Sequence, residues 1–177
     1  MTIVNVPWIK LPKGNYKQLK NGTKGIIFKL SPQYVAKVLY RVEGENYWIR
    51  DDNSALDELN YEYEINETLF ENGIGNVPRP LGVKDFKLYG GSVYPAFIME
   101  YIRNLPHGDN INDSYHEFNA KKLVEAEIYK ALDIDMFPGR DFLHPWNYFY
   151  DKENCKVRLI DFGRWVTGEL KKSPYDY

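Results

Sequence analysis

The chain has 177 residues, a net charge of −2 and a pI of about 6.0, and 44% of its residues are hydrophobic. This length and balance are typical of one globular domain, and the lack of a basic excess gives no indication of binding to nucleic acid or to an anionic membrane. Cys155 is the single cysteine and cannot form an internal disulfide, and no apolar run approaches bilayer-spanning length. Because residues 1–12 also lack a signal-peptide pattern, we expect a cytoplasmic protein.

The first part of the chain predicts short strands joined by tight turns. Residues 16–19, 25–30 and 34–40 are rich in apolar or β-branched side chains. Asn21-Gly22 and Ser31-Pro32-Gln33 separate them as turn signals. This order predicts an antiparallel meander of three strands.

A helix and a hairpin are predicted next. Residues 51–54 supply N-cap candidates, and apolar residues recur at helical spacing from Ala55 to Glu71, before Asn72-Gly73 ends the helix. Residues 81–88 and 93–102 flank a glycine-rich turn as two further strands. Together with the meander, these segments predict five antiparallel strands and one helix.

The rest of the chain predicts a polar linker, a second helix at 116–133, and a hairpin formed by 148–150 and 157–160. A strand-rich half followed by a helix-led half is an α+β arrangement. We expect a first lobe at residues 1–102 and a smaller second lobe at 103–177. The residues predicted to lie on or beside the inner face of the second helix are Leu123, Ala126, Ile128, Tyr129 and Leu132.

Asp161-Phe162-Gly163 directly follows the apolar run Val157 to Ile160. Together with the order of elements, this motif resembles the metal-binding end of the protein-kinase-like fold, and the resemblance covers about residues 14–165. It implies that Asp161 and Asn147, fourteen residues earlier, bind Mg²⁺ through oxygen atoms, the ligands that this hard cation prefers. The alternative for Asn147 is a turn residue at the start of a strand.

Arg140-Asp141 resembles the Arg-Asp pair of the catalytic loop in the same family. The resemblance implies that Asp141 accepts the proton of the acceptor hydroxyl. Two departures stand beside it: Gly139 replaces the family's histidine, and Asp141 precedes Asn147 by six residues instead of five. A helix-capping or solvent-facing aspartate is the alternative.

Lys37, which follows Val35 and Ala36, resembles the strand lysine that contacts the α- and β-phosphates of ATP. A lysine among apolar neighbours is costly to bury without an anionic partner. Glu62 shares a helical face with Ile65, which favours it as that partner over Glu58. The alternative is an edge lysine that points into water.

Other segments resemble the walls of a nucleotide pocket. Gly22 to Gly25 resembles the end of a glycine-rich phosphate loop, and Met99 to Ile102 resembles the connection between lobes whose backbone bonds adenine. A hairpin turn without ligand and a buried strand running into a loop are the alternatives. The residues that the resemblance implies as nucleotide contacts are Gly22, Gly25, Ile27, Val35, Lys37, Met99, Glu100 and Ile102.

The resemblance implies a phosphotransferase, similar to serine/threonine-protein kinases, that uses ATP and Mg²⁺ and transfers phosphate to a hydroxyl of a protein or a small molecule. Only fourteen residues follow Gly163, so we expect a reduced second lobe without the family's activation segment, as in minimal or RIO-like members. The alternative is a pseudokinase that binds nucleotide or a partner without transfer. A third hypothesis is an adaptor that binds no nucleotide.

Overall fold

The structure is a computed structural model that describes residues 17–21, 25–43, 46–87, 92–103, 105–139 and 142–168. The chain divides into two compact units. So far as their residues are described, one unit comprises Met1–Tyr63 and Pro80–Tyr101, and the other comprises Glu64–Arg79 and Ile102–Tyr177. The predicted lobe limits on either side of residue 102 stay a prediction.

An antiparallel sheet dominates the described part of the first unit. Its strands are β1 (Lys17–Asn21), β2 (Gly25–Lys29), β3 (Tyr34–Glu43), β4 (Asn46–Ile49), β5 (Pro80–Lys87) and β6 (Val93–Glu100). The order across the sheet is β1-β2-β3-β6-β5, and β4 pairs with β3. The prediction of an α+β fold is confirmed. The structure adds β4, which the sequence pattern did not reveal because four residues are too few to show an alternation.

The two faces of the sheet have different neighbours. On one face, Leu39 and Phe97 pack with Ala55 and Leu59, which belong to the helix that follows β4. Side chains alternate along a strand, so Lys37 lies on the same face as Leu39. The other face forms the cluster of Ile26, Phe28, Leu30, Ala36, Val38, Tyr40, Phe86, Ala96 and Ile98.

The helix α1 (Asn53–Glu71) starts at a predicted N-cap. Oδ1 of Asp52 accepts a hydrogen bond from the Ala55 N–H at 2.7 Å, which satisfies one of the free amides of the first turn. Arg50 donates to Asp52 and also to Oε1 of Glu58, at 3.0 and 2.7 Å. The hydrogen bond from Arg50 lowers the pKa of the Asp52 carboxyl, because it favours the charged form that caps the helix.

The second unit contains the last part of α1, from Glu64 onward, together with a second long helix and short strands. The second helix is α2 (Ser114–Leu132), and the strands are β7 (Met136–Phe137), β8 (Tyr148–Asp151), β9 (Lys156–Leu159) and β10 (Val166–Thr167). β8 pairs with β9, which confirms the predicted hairpin, and β7 pairs with β10. The β7–β10 ladder was not predicted because two-residue strands carry no periodicity. No helix in the described ranges is long and apolar enough to cross a membrane.

The predicted inner face of α2 is partly wrong. Tyr129 and Ala126 are exposed, whereas Ala120, Val124 and Ala131 are buried. Apolar residues occur on every side of α2, so the helical period did not identify the face that packs on the core.

Two glycines with positive φ shape the connection after α1. Gly73 (φ +67°) ends the helix as predicted, and Gly75 (φ +68°) follows it. The Gly75 carbonyl accepts from the Leu159 N–H at 2.9 Å, and the Gly75 N–H donates to Oε2 of Glu127 at 2.6 Å. This connection is therefore fixed to both β9 and α2 within the second unit.

These glycines form a matched pair for a stability test. A Cβ at Gly75 would lie 2.5 Å from Cδ1 of the buried Leu159, whereas a Cβ at Gly73 would meet nothing within 4 Å. Both substitutions to alanine place a side chain at positive φ, so this cost largely cancels in their comparison. We predict that Gly75→Ala lowers the free energy of unfolding by about 1–3 kcal/mol more than Gly73→Ala, measured by urea denaturation. Equal losses would contradict the contact with Leu159.

Candidate functional site

Lys37 and Glu62 form an ion pair in the first unit, in which the lysine ammonium contacts both carboxylate oxygens. Nζ of Lys37 donates to Oε1 of Glu62 at 2.7 Å and to Oε2 at 2.8 Å. The Lys37 side chain is 12% exposed and that of Glu62 is 2% exposed. The structure thus joins Lys37 to the carboxylate selected from the sequence, whereas Glu58 bonds Arg50. The catalytic roles of Lys37 and Glu62 stay a prediction.

The sheet brings several predicted nucleotide contacts onto the face that carries Lys37. Ile27 lies directly opposite Lys37 in the β2–β3 pair, and Met99 lies opposite Val35 in the β3–β6 pair. Gly25 is two positions from Ile27 on the same strand. Since opposed residues of antiparallel strands share a face, these five residues form one patch.

Gly25 leaves space for the lysine side chain. A Cβ at this position would lie 2.9 Å from Cε and 3.4 Å from Cγ of Lys37. Any larger residue would therefore displace the aliphatic stem that carries the ammonium to Glu62. The need for glycine here is a steric requirement of Lys37.

Glu100 and Ile102 lie where β6 ends. Glu100 pairs with Tyr34 and is partly exposed, and Ile102 is buried and belongs to the second unit. Between them, the Tyr101 N–H donates to the Gln33 carbonyl at 2.8 Å. The backbone bonds of Glu100 and Ile102 to adenine stay a prediction.

The second unit brings Asn147 close in space to the residue before Asp161. The Ile160 N–H donates to the Asn147 carbonyl at 2.9 Å, and Asn147 ends a single 3₁₀ turn, Pro145–Asn147. Asp161 is exposed and has a φ of +64°, a region that side chains disfavour. A non-glycine residue persists there only when its surroundings hold it, and such residues are frequent at functional sites.

Aromatic packing supplies that support. Phe162 and Trp165 are buried with ring centroids 5.8 Å apart, and Phe142 makes an edge contact with Trp165 at 4.6 Å. The Trp165 N–H donates to the Phe162 carbonyl at 3.0 Å and closes a turn after Asp161. Phe142 and Trp165 were not predicted to support the site, although the spacing of Phe162 and Trp165 within one turn is a signal that buried apolar residues follow Asp161.

Gly22 and Asp141 lie outside the described residues, so their predicted roles stay predictions. Within the described ranges, no group of three or more His, Cys, Asp or Glu side chains is placed to hold a metal ion. Mg²⁺ at a nucleotide site needs fewer protein ligands, because water and phosphate oxygens complete its coordination. The oxygen donors of Asn147 and Asp161 fit that requirement chemically.

Comparison with known proteins identifies the fold. No protein-family model and no curated protein matches the chain. Among solved structures, a Rio2 kinase–ADP/Mg²⁺–phosphoaspartate complex from Chaetomium thermophilum aligns with a TM-score of 0.58 and 18% identity, over 88% of this chain and 49% of that chain. The bifunctional kinase-methyltransferase WbdD aligns with a TM-score of 0.50 and 16% identity, over 81% of this chain and 30% of that chain. The chain has a protein-kinase-like fold and spans about half the length of the Rio2 kinase.

Loss of one partner of the Lys37–Glu62 pair removes two short hydrogen bonds from a charge that stays largely buried. We predict that Lys37→Met and Glu62→Leu each lower the free energy of unfolding by about 2–4 kcal/mol, and that the double variant loses clearly less than the summed single losses. Urea denaturation of the four proteins gives the coupling energy.

The exposed pair Lys121–Glu117 provides the control for that cycle. Removal of either of its partners is expected to change the free energy of unfolding by less than about 0.5 kcal/mol, because solvent screens the pair. Additive losses at Lys37 and Glu62 would contradict a structural role for their contact.

Proposed function

We propose that the chain binds ATP with Mg²⁺ and transfers the γ-phosphate to a hydroxyl acceptor. The observation that carries the proposal is the ion pair in which two hydrogen bonds hold the Lys37 ammonium on the buried Glu62 carboxylate. A buried ion pair is often no more stable than apolar side chains of similar volume. An ammonium held in place to bind a phosphate gives this pair a function that stability alone does not require.

In this proposal, Lys37 neutralises the α- and β-phosphate oxygens, and Glu62 fixes the ammonium in one position. Gly25, which already makes room for the lysine stem, lets the backbone of β2 approach the phosphates without an intervening Cβ. Ile27 and Val35 provide apolar contacts for the purine, and Met99 borders it. Positioning and charge neutralisation are the main sources of rate enhancement in phosphoryl transfer.

Asn147 and Asp161 are the proposed magnesium ligands, through an amide and a carboxylate oxygen. Bound Mg²⁺ supplies charge neutralisation on the phosphates. The exposed position and the constrained backbone of Asp161 suit a carboxylate that must meet a ligand from solvent. Asp141 is the proposed acceptor of the proton from the attacking hydroxyl, which belongs to a protein serine or threonine or to a small molecule.

A pseudokinase that binds nucleotide without transfer is the second candidate. The observations that favour it are Gly139 in place of the family's histidine and the six-residue separation of Asp141 and Asn147. Both candidates predict nucleotide binding, and they differ only in turnover.

The two candidates are separated by a measurement of thermal stability and phosphate release. We predict that ATP with Mg²⁺ raises the Tm of the wild type, and that Asp161→Asn lowers the rate of γ-phosphate release or transfer by about 100-fold or more. Asp133→Asn, which removes an exposed carboxylate after α2, is the matched control and is expected to keep the wild-type rate.

No rise in Tm at saturating ATP and Mg²⁺ would contradict both candidates. A rise without release or transfer to any acceptor would favour the pseudokinase. If Asp141→Asn leaves the transfer rate unchanged, the assignment of the base to Asp141 is wrong.

A further inference from the structure

An exposed row of aromatic side chains runs along α2. Tyr115, Phe118 and Tyr129 are 68%, 57% and 69% exposed, so each leaves most of its ring in solvent. They lie on the side of the helix away from its buried residues, which are Ala120, Val124 and Ala131. Exposed aromatic groups in a row on one helix face are typical of a contact surface.

Four residues of this face have the spacing of a helix–helix seam. Phe118, Lys122, Glu125 and Tyr129 follow one another at intervals of four, three and four residues, which is the a/d spacing of paired helices. At about 100° per residue, the four lie within about 60° of the helix circumference. We call these four residues the α2 stripe.

The charges of the α2 stripe differ from the other charges of the helix. Outside the stripe, two ion pairs form within α2 itself: Lys121 pairs with Glu117, and Lys130 pairs with Glu127. Nζ of Lys122 lies 4.5 Å from the centroid of the Phe118 ring, and Glu125 forms no ion pair with any residue that the structure describes. The stripe therefore presents one cation and one anion, side by side on one face.

We propose that the α2 stripe pairs with the α2 stripe of a second copy of this chain, with the two helices antiparallel. A twofold axis perpendicular to α2, at the level between residues 123 and 124, brings Lys122 of each copy opposite Glu125 of the other. The same axis brings Phe118 of each copy opposite Tyr129 of the other. The two kinds of pair, Lys122–Glu125 and Phe118–Tyr129, thus each occur twice, which is the self-complementarity that a twofold interface requires.

The charges of the α2 stripe favour a second copy of this chain as the partner, and they favour the antiparallel orientation of the two helices. Parallel helices in the same register would place Lys122 against Lys122 and Glu125 against Glu125, which is unfavourable. The antiparallel arrangement converts both contacts into opposite-charge pairs and covers the exposed rings of Phe118 and Tyr129. Because the seam extends for only about 17 Å of helix, we expect a weak dimer with a dissociation constant in the micromolar range.

A charge-reversal cycle tests the pairing. We expect the wild type to show a monomer–dimer equilibrium in sedimentation velocity between low micromolar and near-millimolar protein. Lys122→Glu and Glu125→Lys each place like charges together at two points, so each is expected to raise the dissociation constant by about tenfold or more. The double reversal restores opposite charges, and its dissociation constant is expected to return to within about threefold of wild type.

Lys152→Glu is the matched control, because it makes the same charge change at an exposed residue in the turn between β8 and β9. It is expected to leave the dissociation constant unchanged. Circular dichroism of every variant verifies that the total helical content, to which α1 and α2 contribute 19 residues each, is kept.

A wild type that stays monomeric throughout, or a dimer that Lys122→Glu does not weaken, would overturn the proposal. Failure of the folded double reversal to restore dimerisation would overturn the antiparallel register. Sedimentation velocity measures the size of the protein species without nucleotide present, so its outcome is independent of the proposed phosphotransfer.

Discussion

A lysine on the helix-facing side of a sheet must find an anion, because an ammonium among apolar side chains is costly to bury. In this protein the anion is Glu62, and the contact joins β3 to α1. Its neighbours follow from that constraint: Gly25 must lack a side chain so that the lysine stem can pass, and Leu39 and Phe97 pack on α1 beside the charge. The two hydrogen bonds that compensate the burial of Lys37 also hold its ammonium in a fixed position, which suits the proposed binding of phosphate.

In the second unit, the backbone on both sides of the exposed Asp161 is fixed by packing and hydrogen bonding. Phe162 and Trp165 are buried directly after Asp161, and the backbone of Ile160 is bonded to Asn147 directly before it. Asp161 is thereby confined to a left-handed backbone conformation while it remains exposed. In each unit, burial of apolar or paired groups fixes a polar group that the proposed chemistry needs.

Much of the fold could be predicted from the sequence, because α1, the meander and the last hairpin carry clear periodicity and turn signals. The partner of Lys37 was also predictable, since Glu62 shares a helix face with Ile65. The β7–β10 ladder was not, because its strands are too short to carry a pattern. The bond between Ile160 and Asn147 and the positive φ of Asp161 depend on tertiary packing, which residue types alone do not specify. Tyr129 was mispredicted on the inner side of α2, because apolar residues occur on every side of that helix and its period does not identify the buried face.

In the proposed function, Lys37 binds the phosphates of ATP and Asp161 binds the magnesium ion that accompanies them. Isothermal titration of ATP, with Mg²⁺ and with EDTA, measures both parts on the wild type, Lys37→Met and Asp161→Asn. We predict that Mg²⁺ tightens ATP binding to the wild type, that Asp161→Asn loses this gain, and that Lys37→Met weakens binding under both conditions. Absence of ATP binding at millimolar concentration, or an Asp161→Asn variant that keeps the full magnesium gain, would contradict it.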